Sequence, residues 1–399
     1  MNRGRLTFLA LSVAVVTAIT AGSWGARAAS RSEGDETDSL FKYLSVFSEV
    51  LSLVRQVYVD ETQSTQLLTA AMDGVSDALD PFSLYVPAEG IVRYAEARRI
   101  GASRSGLRML NENGMPYVVG VIEGSPAAKL GVERGDLLAK VGDRETRTLP
   151  RWELESLFAG APGTVLDIEL IRVGEPLQKK LKLGTFAAPK PSVEEKDGVV
   201  VLRIPWFDAD SGAAVRRHLD RLAAAGAKAT SQPLLIDLRS TSGGSPEAGY
   251  AVAGVFADGP LGVLAGRDRE LASFDGATKL WSGPIVVAVN RWTQGAAEIL
   301  AVVLKQRVNA KVIGEQTFGS VARQTVVEVP SGGRLWASEG FFTGPDKKPL
   351  REGIEPEIRV RDRDRSFQDR ALSLDEMILR RALDTAKGTT PANEAAKAA

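Results

Sequence analysis

The 399-residue chain contains no cysteine, which excludes disulfides, zinc–thiolate sites and cysteine nucleophiles. It has a single histidine, His218, so a Ser-His-Asp triad would have to use that side chain. His218 lies on a predicted helix, and we interpret it as a surface residue. Basic and acidic residues both number 50, and this balance argues against a nucleic-acid partner. We also predict no cofactor and no metal site.

Long apolar stretches are missing beyond the amino terminus. There, two arginines precede a mostly apolar run, Leu6–Ile19, and Ala26-Arg27-Ala28 is a small-x-small cleavage pattern. We expect a signal peptide over residues 1–28, a mature chain that starts near Ala29, and a periplasmic or other extracytoplasmic location. The alternative is an uncleaved anchor, although the run is short for a membrane span. A membrane surface would be contacted only through this segment.

A central stretch has the pattern of a nucleophile-presenting turn. Ile285–Val289 is a short run rich in β-branched residues, typical of a buried strand. Asn290–Gly295 is a polar loop, and Ala296–Lys305 is predicted to be a buried helix. Ala310–Ile313 is predicted to be a second strand, followed by a turn over 314–319. A strand, a tight turn and a helix that begins at the turn are how many folds present a nucleophile.

This stretch resembles the core of the carboxyl-terminal processing peptidases, the tail-specific serine proteases of peptidase family S41. Ala297-Glu298-Ile299 matches the end of the family motif Ser-Ala-Ser-Ala-Ser-Glu-Ile, which places Gly295 at the nucleophilic serine. Thr317-Phe318-Gly319 matches Thr-Phe-Gly-Lys, which places Ser320 at the lysine base. Gln324 matches the glutamine that orients this lysine. Positions 295 and 320 are 25 residues apart, as in the family.

Both substitutions remove the chemistry that the resemblance implies. Glycine has no hydroxyl to attack a carbonyl, and a serine hydroxyl cannot act as a base near neutral pH. The chain therefore resembles a catalytically inactive member of the family. The alternative is a relocated dyad, with Thr293 or Ser320 as nucleophile and Lys305 or Lys311 as base, which would need atoms within hydrogen-bond distance of each other.

Two further motifs resemble the same family. Ile236-Asp237-Leu238-Arg239 followed by two glycines matches a turn whose glycine N–H forms part of the oxyanion hole. The resemblance implies Gly243, Gly244 and Ala296 as oxyanion-hole candidates. Residues 240–242, Ser-Thr-Ser, replace the usual Asn-Asn-Pro type. Leu79–Tyr85 resembles Leu-Asp-Pro-His-Ser-x-Tyr with Phe82 in place of the histidine, and we interpret it as a proline turn with two aromatic core anchors.

Residues 101–186 resemble a PDZ domain. The most specific signal is Gly124–Val132 followed by Gly135–Leu138. A PDZ groove binds an extended C-terminal peptide as an added strand, and backbone N–H groups of its loop hold the terminal carboxylate. Arg104 adds positive charge near this loop or is merely solvated, and the same alternatives hold for Arg108. The candidate peptide-binding residues are Ser105, Gly106, Leu107, Arg108, Met109 and Leu157.

The resemblance implies an α/β fold class, mixed α+β and multidomain: a PDZ domain plus a crotonase-like α/β core, preceded by helices. The predicted domains are a signal peptide (1–28), an amino-terminal helical segment (39–100), a PDZ domain (101–186), an S41 peptidase-like core (192–360), a C-terminal helix (361–386) and a disordered tail (387–399).

Three functions are compatible with these features. The favoured hypothesis is an inactive homologue that binds C-terminal or unfolded segments of exported envelope proteins as a scaffold or regulator, with an active homologous peptidase as a further partner. The second is an active serine endopeptidase with a relocated dyad. The third is a structural envelope protein whose PDZ groove is vestigial. Family membership alone does not decide between them, because a fold does not imply a function.

Overall fold

The structure, a computed structural model, describes residues 41–112, 115–224, 226, 230–364, 369 and 371–388. The predicted signal peptide and residues 389–399 of the predicted tail lie outside these residues. By its internal contacts the chain divides into two units, Met1–Ala71 and Met72–Ala399. None of the helices within the described ranges has both the length and the apolar composition needed to cross a bilayer.

The described part of the first unit is helical, as predicted. Helix α1 covers residues 41–57, and α2 (Ser64–Leu79) begins in the first unit and continues into the second. The apolar side chains of α1 are exposed, including Phe41, Tyr43 and Val50.

A short strand and a helix connect α2 to the PDZ region. Strand β1 is Leu84–Val86, and α3 is Ile91–Ile100. The ring of Tyr94 on α3 packs edge-on against Trp336, with 4.9 Å between ring centroids. Tyr94 therefore packs α3 against the sheet that contains Trp336. Short 3₁₀ turns cover Ala88–Gly90, Gly101–Ser103, Thr146–Thr148 and Asp362–Asp364.

The PDZ region forms its own six-stranded sheet and core. Its elements are β2 (Leu107–Glu112), β3 (Met115–Val121), α4 (Pro126–Lys129), β4 (Leu137–Val141), β5 (Arg144–Glu145), α5 (Arg151–Phe158), β6 (Val165–Arg172) and β7 (Glu175–Lys182). The strand order is β2-β3-β4-β6-β7, and β5 pairs with β4. Within the described residues β2 has one strand neighbour, and its other edge faces α5 across a narrow groove.

The core region contains the remaining strands and helices. They are β8 (Ser192–Lys196), β9 (Val199–Arg203), α6 (Ser211–Ala224), β10 (Leu234–Asp237), α7 (Pro246–Ala253), β11 (Asp258–Gly266), β12 (Glu270–Ala277), β13 (Ile285–Val289), α8 (Ala296–Val308), β14 (Lys311–Gly314), β15 (Ala322–Glu328), β16 (Arg334–Phe342), β17 (Ile358–Arg359) and α9 (Leu374–Ala386). One sheet has the order β17-β14-β13-β10-β9-β8, parallel except for β8. The sequences of its central strands are continuously apolar because helices cover both faces of the sheet.

The second core sheet was only partly predicted. It has the order β1-β16-β11-β12, with β15 paired to β16. The sequence pattern of 325–329 and 333–336 predicts a hairpin, which the structure forms as β15 and β16. The β11–β12 hairpin was not predicted, because glycine and proline at 259, 260 and 262 interrupt the strand pattern. Tyr250 on α7 stacks on Phe274 of β12 with 4.0 Å between ring centroids. This stack fixes α7 against the second sheet.

Helices α7 and α8 approach each other closely beside the cleft. A Cβ atom built on Gly249 of α7 would lie 2.5 Å from the carbonyl oxygen of Ala296, at the start of α8. Real Cβ atoms do not come this close to backbone, so position 249 requires glycine. The first turn of α8 is therefore positioned directly by the backbone of α7.

Gly249→Ala is expected to destabilise the chain by about 1–3 kcal/mol, since the backbone of α7 or α8 must shift to relieve the overlap. The matched control is Gly74→Ala on α2, where a Cβ meets no atom within 4 Å. That substitution should be stabilising by up to about 1 kcal/mol, from helix propensity alone. Urea unfolding of both variants measures the difference, and equal free energies of unfolding would contradict the close packing.

Candidate functional site

A cleft of about 380 Å³ lies at the amino-terminal end of α8. It brings together five residues singled out from the sequence: Gly295, Ser320, Gln324, Gly244 and Arg108. Strand β2 of the PDZ region therefore contributes to the same cleft as the core. The lining residues are Phe82, Arg98, Arg108, Gly244, Pro246, Glu247, Gln294, Gly295, Gly319, Ser320, Val321, Ala322, Arg323, Gln324 and Phe342.

Gly295 is the residue that immediately precedes α8. Its backbone has φ 64° and ψ −119°, a conformation that side-chain-bearing residues rarely adopt. A Cβ atom built at this position meets no atom within 4 Å. The volume that a nucleophilic side chain would occupy is therefore open space in the cleft.

Ser320 lines the same cleft as Gly295 and has a φ of 56°. Its hydroxyl donates to the carbonyl oxygen of Arg351 over 3.2 Å, and its N–H donates to the same oxygen over 3.0 Å. The side chain thus completes a turn and provides no group that can accept a proton from a nucleophile.

Gln324 keeps its place but orients no lysine. Its Nε2 donates to the carbonyl oxygen of Phe82, and its Oε1 accepts from Nη1 of Arg98 over 2.7 Å.

Phe82 is half-buried and lines the cleft, so its interpretation as a core anchor was wrong. Tyr85, the second proposed anchor, is buried. The ring of Phe82 lies edge-on to Phe318, with 6.5 Å between centroids, and lines the cleft.

Glu298 connects the two substituted motifs. Its carboxylate accepts hydrogen bonds from the N–H of Gly295 (2.9 Å), the hydroxyl of Thr317 (2.5 Å) and the N–H of Gly319 (2.6 Å). The hydroxyl of Thr317 in turn accepts from the N–H of Ile354 over 2.7 Å. Burial raises the pKa of Glu298 to about 7, while the three donated hydrogen bonds act in the opposite direction. One buried side chain thus sets the spacing between positions 295 and 319.

The residues considered for a relocated dyad do not meet. The hydroxyl of Thr293 is fully buried, where it donates to the carbonyl oxygen of Leu238 over 2.9 Å and accepts from the N–H of Asn290 over 3.0 Å. Lys305 lies about 15 Å along α8 from Gly295 and donates to the carbonyl oxygen of Glu355 over 2.8 Å.

Lys311 is exposed on β14. His218 is half-buried on α6, 3.0 Å from the carbonyl oxygen of Pro191. Among the described residues that line the cleft there is no lysine and no histidine.

The three oxyanion-hole candidates lie in different surroundings. Gly244, with φ 107°, lines the cleft. Gly243 packs under the ring of Trp206 and lines a neighbouring cavity of about 140 Å³. Ala296 is buried. The hydroxyl of Thr241 donates to the carbonyl oxygen of Ile204 over 2.9 Å, so the substituted Ser-Thr-Ser turn is held by its own contacts.

The peptide groove predicted for the PDZ region is narrow in this structure. The space between β2 and α5 amounts to about 20 Å³, enough for a single water molecule but not for a peptide side chain. Of the predicted peptide-binding residues, Leu107 is buried in the PDZ core, Met109 and Leu157 pack against that core, and Met109 also lines the groove.

The loop donors of the PDZ region already have partners. The N–H of Gly106 donates to the carbonyl oxygen of Ala102 over 2.7 Å, and that of Leu107 donates to the hydroxyl of Ser105 over 3.2 Å. A peptide that enters this groove must separate β2 from α5 and displace these bonds. Arg104 is half-buried, and its Nε has no hydrogen-bond partner in the described structure.

Several cleft residues were missed by the sequence analysis. Arg98, on α3, and Arg323, on β15, bring two further positive charges to Arg108. Burial lowers the pKa of Arg108 to about 10, so the group remains charged at neutral pH. Gln294 is 4% exposed, and its Nε2 has no hydrogen-bond partner among the described residues. Gln294 could have been identified from the sequence as a cleft residue because it is adjacent to Gly295. No sequence pattern indicated that Arg98 lies in the cleft. No metal-binding group of three side chains occurs within the described ranges.

Comparison with known proteins identifies both regions. Residues 198–360 match the model of Peptidase family S41, and residues 117–172 match that of the PDZ domain. The carboxy-terminal processing protease CtpA of Bacillus subtilis (strain 168) is 27% identical over 369 residues, covering 89% of this chain and 77% of the relative. The carboxy-terminal-processing protease of Bartonella bacilliformis is 26% identical over 333 residues, covering 80% of this chain and 75% of the relative.

A solved structure has the same fold. The photosystem II D1 C-terminal processing protease superposes with a TM-score of 0.63 at 22% identity, covering 84% of this chain and 96% of that chain. This similarity concerns the fold alone. Together with the two matched regions, it confirms the resemblance and the fold class inferred from the sequence.

Glu298→Gln is expected to change how stability depends on pH. The folded-state pKa is raised from 4.5 to about 7, so the folded chain retains a proton that the unfolded chain releases. The stabilisation that Glu298 gives the folded chain is fully present below pH 4.5 and is lost as the pH rises through about 7. The loss in the free energy of unfolding is on the order of 3 kcal/mol. Urea unfolding at about pH 4.5 and pH 7.5 measures it as the difference between wild type and variant.

The matched control is Glu194→Gln, an exposed carboxylate on β8. Its difference from wild type should be the same at both pH values. The free energy of unfolding of wild type should exceed that of Glu298→Gln by less at pH 7.5 than at pH 4.5. An excess that does not decrease as the pH rises would contradict the buried, protonated state of Glu298.

Proposed function

We propose that this chain, whose residues 198–360 belong to peptidase family S41, binds the carboxyl-terminal segments of other proteins without hydrolysing them. The observation that carries this proposal is the pair of substituted positions, both of which line one cleft. Gly295 provides no hydroxyl, and Ser320 is bonded to the carbonyl oxygen of Arg351. A Ser-Lys mechanism needs both a nucleophile and a base, and the cleft has neither.

Peptide binding is supported by the parts that remain. Strand β2 is an edge strand, and an extended peptide can add to such an edge through backbone hydrogen bonds. The relatives are named for processing carboxyl termini, and this substrate class is carried over to the present chain as a ligand class. The proposed role is that of a scaffold or regulator, with envelope proteins or an active homologous peptidase as partners.

The first test is catalytic. The wild-type chain is expected to show no turnover of an unfolded substrate such as casein. In Gly295→Ser with Ser320→Lys, the new serine side chain enters open space and the spacing set by Glu298 is retained. This double variant is expected to exceed wild type by at least about 100-fold, the lower range of general acid–base catalysis.

Gly295→Ala is the matched control, since it adds a Cβ atom without a hydroxyl. It should equal wild type, and any activity shared by the two indicates a contaminant. Wild-type turnover that disappears in Thr293→Ala or Ser320→Ala would refute the proposal of an inactive homologue.

The proposed export has a separate test. Cleavage after Ala28 should yield a mature chain that begins near Ala29, because residues 1–28 have a basic start, an apolar run and a small-x-small end. Mass spectrometry of the chain from envelope fractions measures the terminus. An intact Met1 end in the membrane fraction would support the anchor instead.

A further inference from the structure

We propose that the cleft beside Gly295 is a carboxylate-binding site, in which Arg108 and Gln294 hold the free C-terminal carboxylate of a bound peptide. This inference rests on the proposed function, because it locates the end of the peptide that the chain binds. It places the carboxylate in the former catalytic cleft and not in the PDZ loop.

Arg108 is the first observation. Within the described structure its guanidinium has no hydrogen-bond or ion-pair partner, although it is half-buried. Glu155 is the carboxylate that influences it, but the two oxygens of Glu155 are held by Nε of Arg151 (2.9 Å) and the hydroxyl of Tyr94 (3.0 Å). A partly desolvated guanidinium favours an anionic partner, and its planar donors match a carboxylate in a two-pronged contact.

Gln294 is the second, independent observation. Its side chain is 96% buried, from an exposed fraction of 4%, yet its Nε2 has no hydrogen-bond partner among the described residues. Buried donors are rarely left unsatisfied, so a ligand oxygen in the cleft is the partner that this amide lacks. Gln294 and Arg108 come from different regions of the chain and line the same cleft.

The surroundings favour a negative ligand. Three arginines line the cleft, Arg98, Arg108 and Arg323, whereas Glu247 is the only carboxylate among the described lining residues. Arg323 is paired with Glu339 over 2.6 Å, and Arg98 donates to Oε1 of Gln324 over 2.7 Å. Of the three, Arg108 is the one without a hydrogen-bond partner within the described structure. The cleft also lies at the amino-terminal end of α8, a 13-residue helix whose dipole attracts anions.

The competing location, the PDZ loop, is less prepared for a carboxylate. Its N–H donors at 106 and 107 have intrachain partners, and its groove holds about 20 Å³ against about 380 Å³ for the cleft. Arg108 belongs to β2 and also lines the cleft. A peptide that separates β2 from α5 and adds along β2 can therefore reach the cleft with its terminus.

The test uses the mature full-length chain and two fluorescein-labelled pools of random hexapeptides, one with a free C-terminus and one amidated. Fluorescence anisotropy measures the affinity for each pool. The free-acid pool should bind about 10- to 150-fold more tightly, the factor that corresponds to hydrogen bonds with a charged group. Arg108→Gln should remove most of this difference, and Gln294→Leu should reduce it.

Two arginine variants serve as matched controls. Arg147→Gln removes an exposed arginine of the PDZ region that is paired with Glu145, and it should leave the difference between the pools unchanged. Arg104→Gln probes the PDZ loop and should likewise retain it. If Arg108→Gln does not fold, Arg108→Lys keeps the charge without the planar fork and should still reduce the difference.

The outcomes separate this inference from the proposed function. Equal affinity for both pools, or a difference that Arg104→Gln removes and Arg108→Gln retains, would overturn the cleft site and leave peptide binding intact. Failure of both pools to bind would overturn the proposed function as well. A site for inorganic phosphate, shown by displacement of the free-acid and amidated pools alike at submillimolar phosphate, would also refute a peptide-carboxylate site.

Discussion

The buried carboxyl group of Glu298 is the contact on which the candidate site depends. It accepts hydrogen bonds from the turn before α8 and from the loop after β14, two segments that are distant in sequence. Their spacing is therefore maintained by a residue with no role in acyl transfer. The spacing of the two segments therefore does not depend on the side chains at positions 295 and 320. Shape and chemistry are held by different residues, so one can be lost without the other.

The sequence predicted those parts of the fold that depend on local patterns. The strand Ile285–Val289 has the predicted bounds, because a buried β-branched run is a local signal, whereas the C-terminal helix predicted for residues 361–386 begins only at Leu374. The positions of Gly295 and Ser320 followed from motif spacing. The β11–β12 hairpin was missed because its glycines interrupt the strand pattern.

The properties of the cleft were less accessible from the sequence. Arg98 comes from a helix before the PDZ region, and its place beside Gln324 depends on the packing of Tyr94 against Trp336. The narrow groove between β2 and α5 likewise follows from tertiary packing, since Leu107, one of the predicted peptide-binding residues, is buried in the PDZ core. Sequence patterns report which side chains are apolar, but they do not report whether those side chains line a space or fill it.

The backbone at Gly295 has a consequence for how the scaffold evolves. A residue with a side chain in this conformation stores about 1–3 kcal/mol of steric energy, which the surrounding fold must offset. Glycine adopts the same angles without that energy, so glycine at position 295 leaves this chain a reserve of stability that a residue with a side chain would use. Such a reserve permits destabilising substitutions elsewhere, because proteins tolerate change down to a threshold of stability. Glycine at position 295 thus widens the range of sequences that this fold can accept around its cleft.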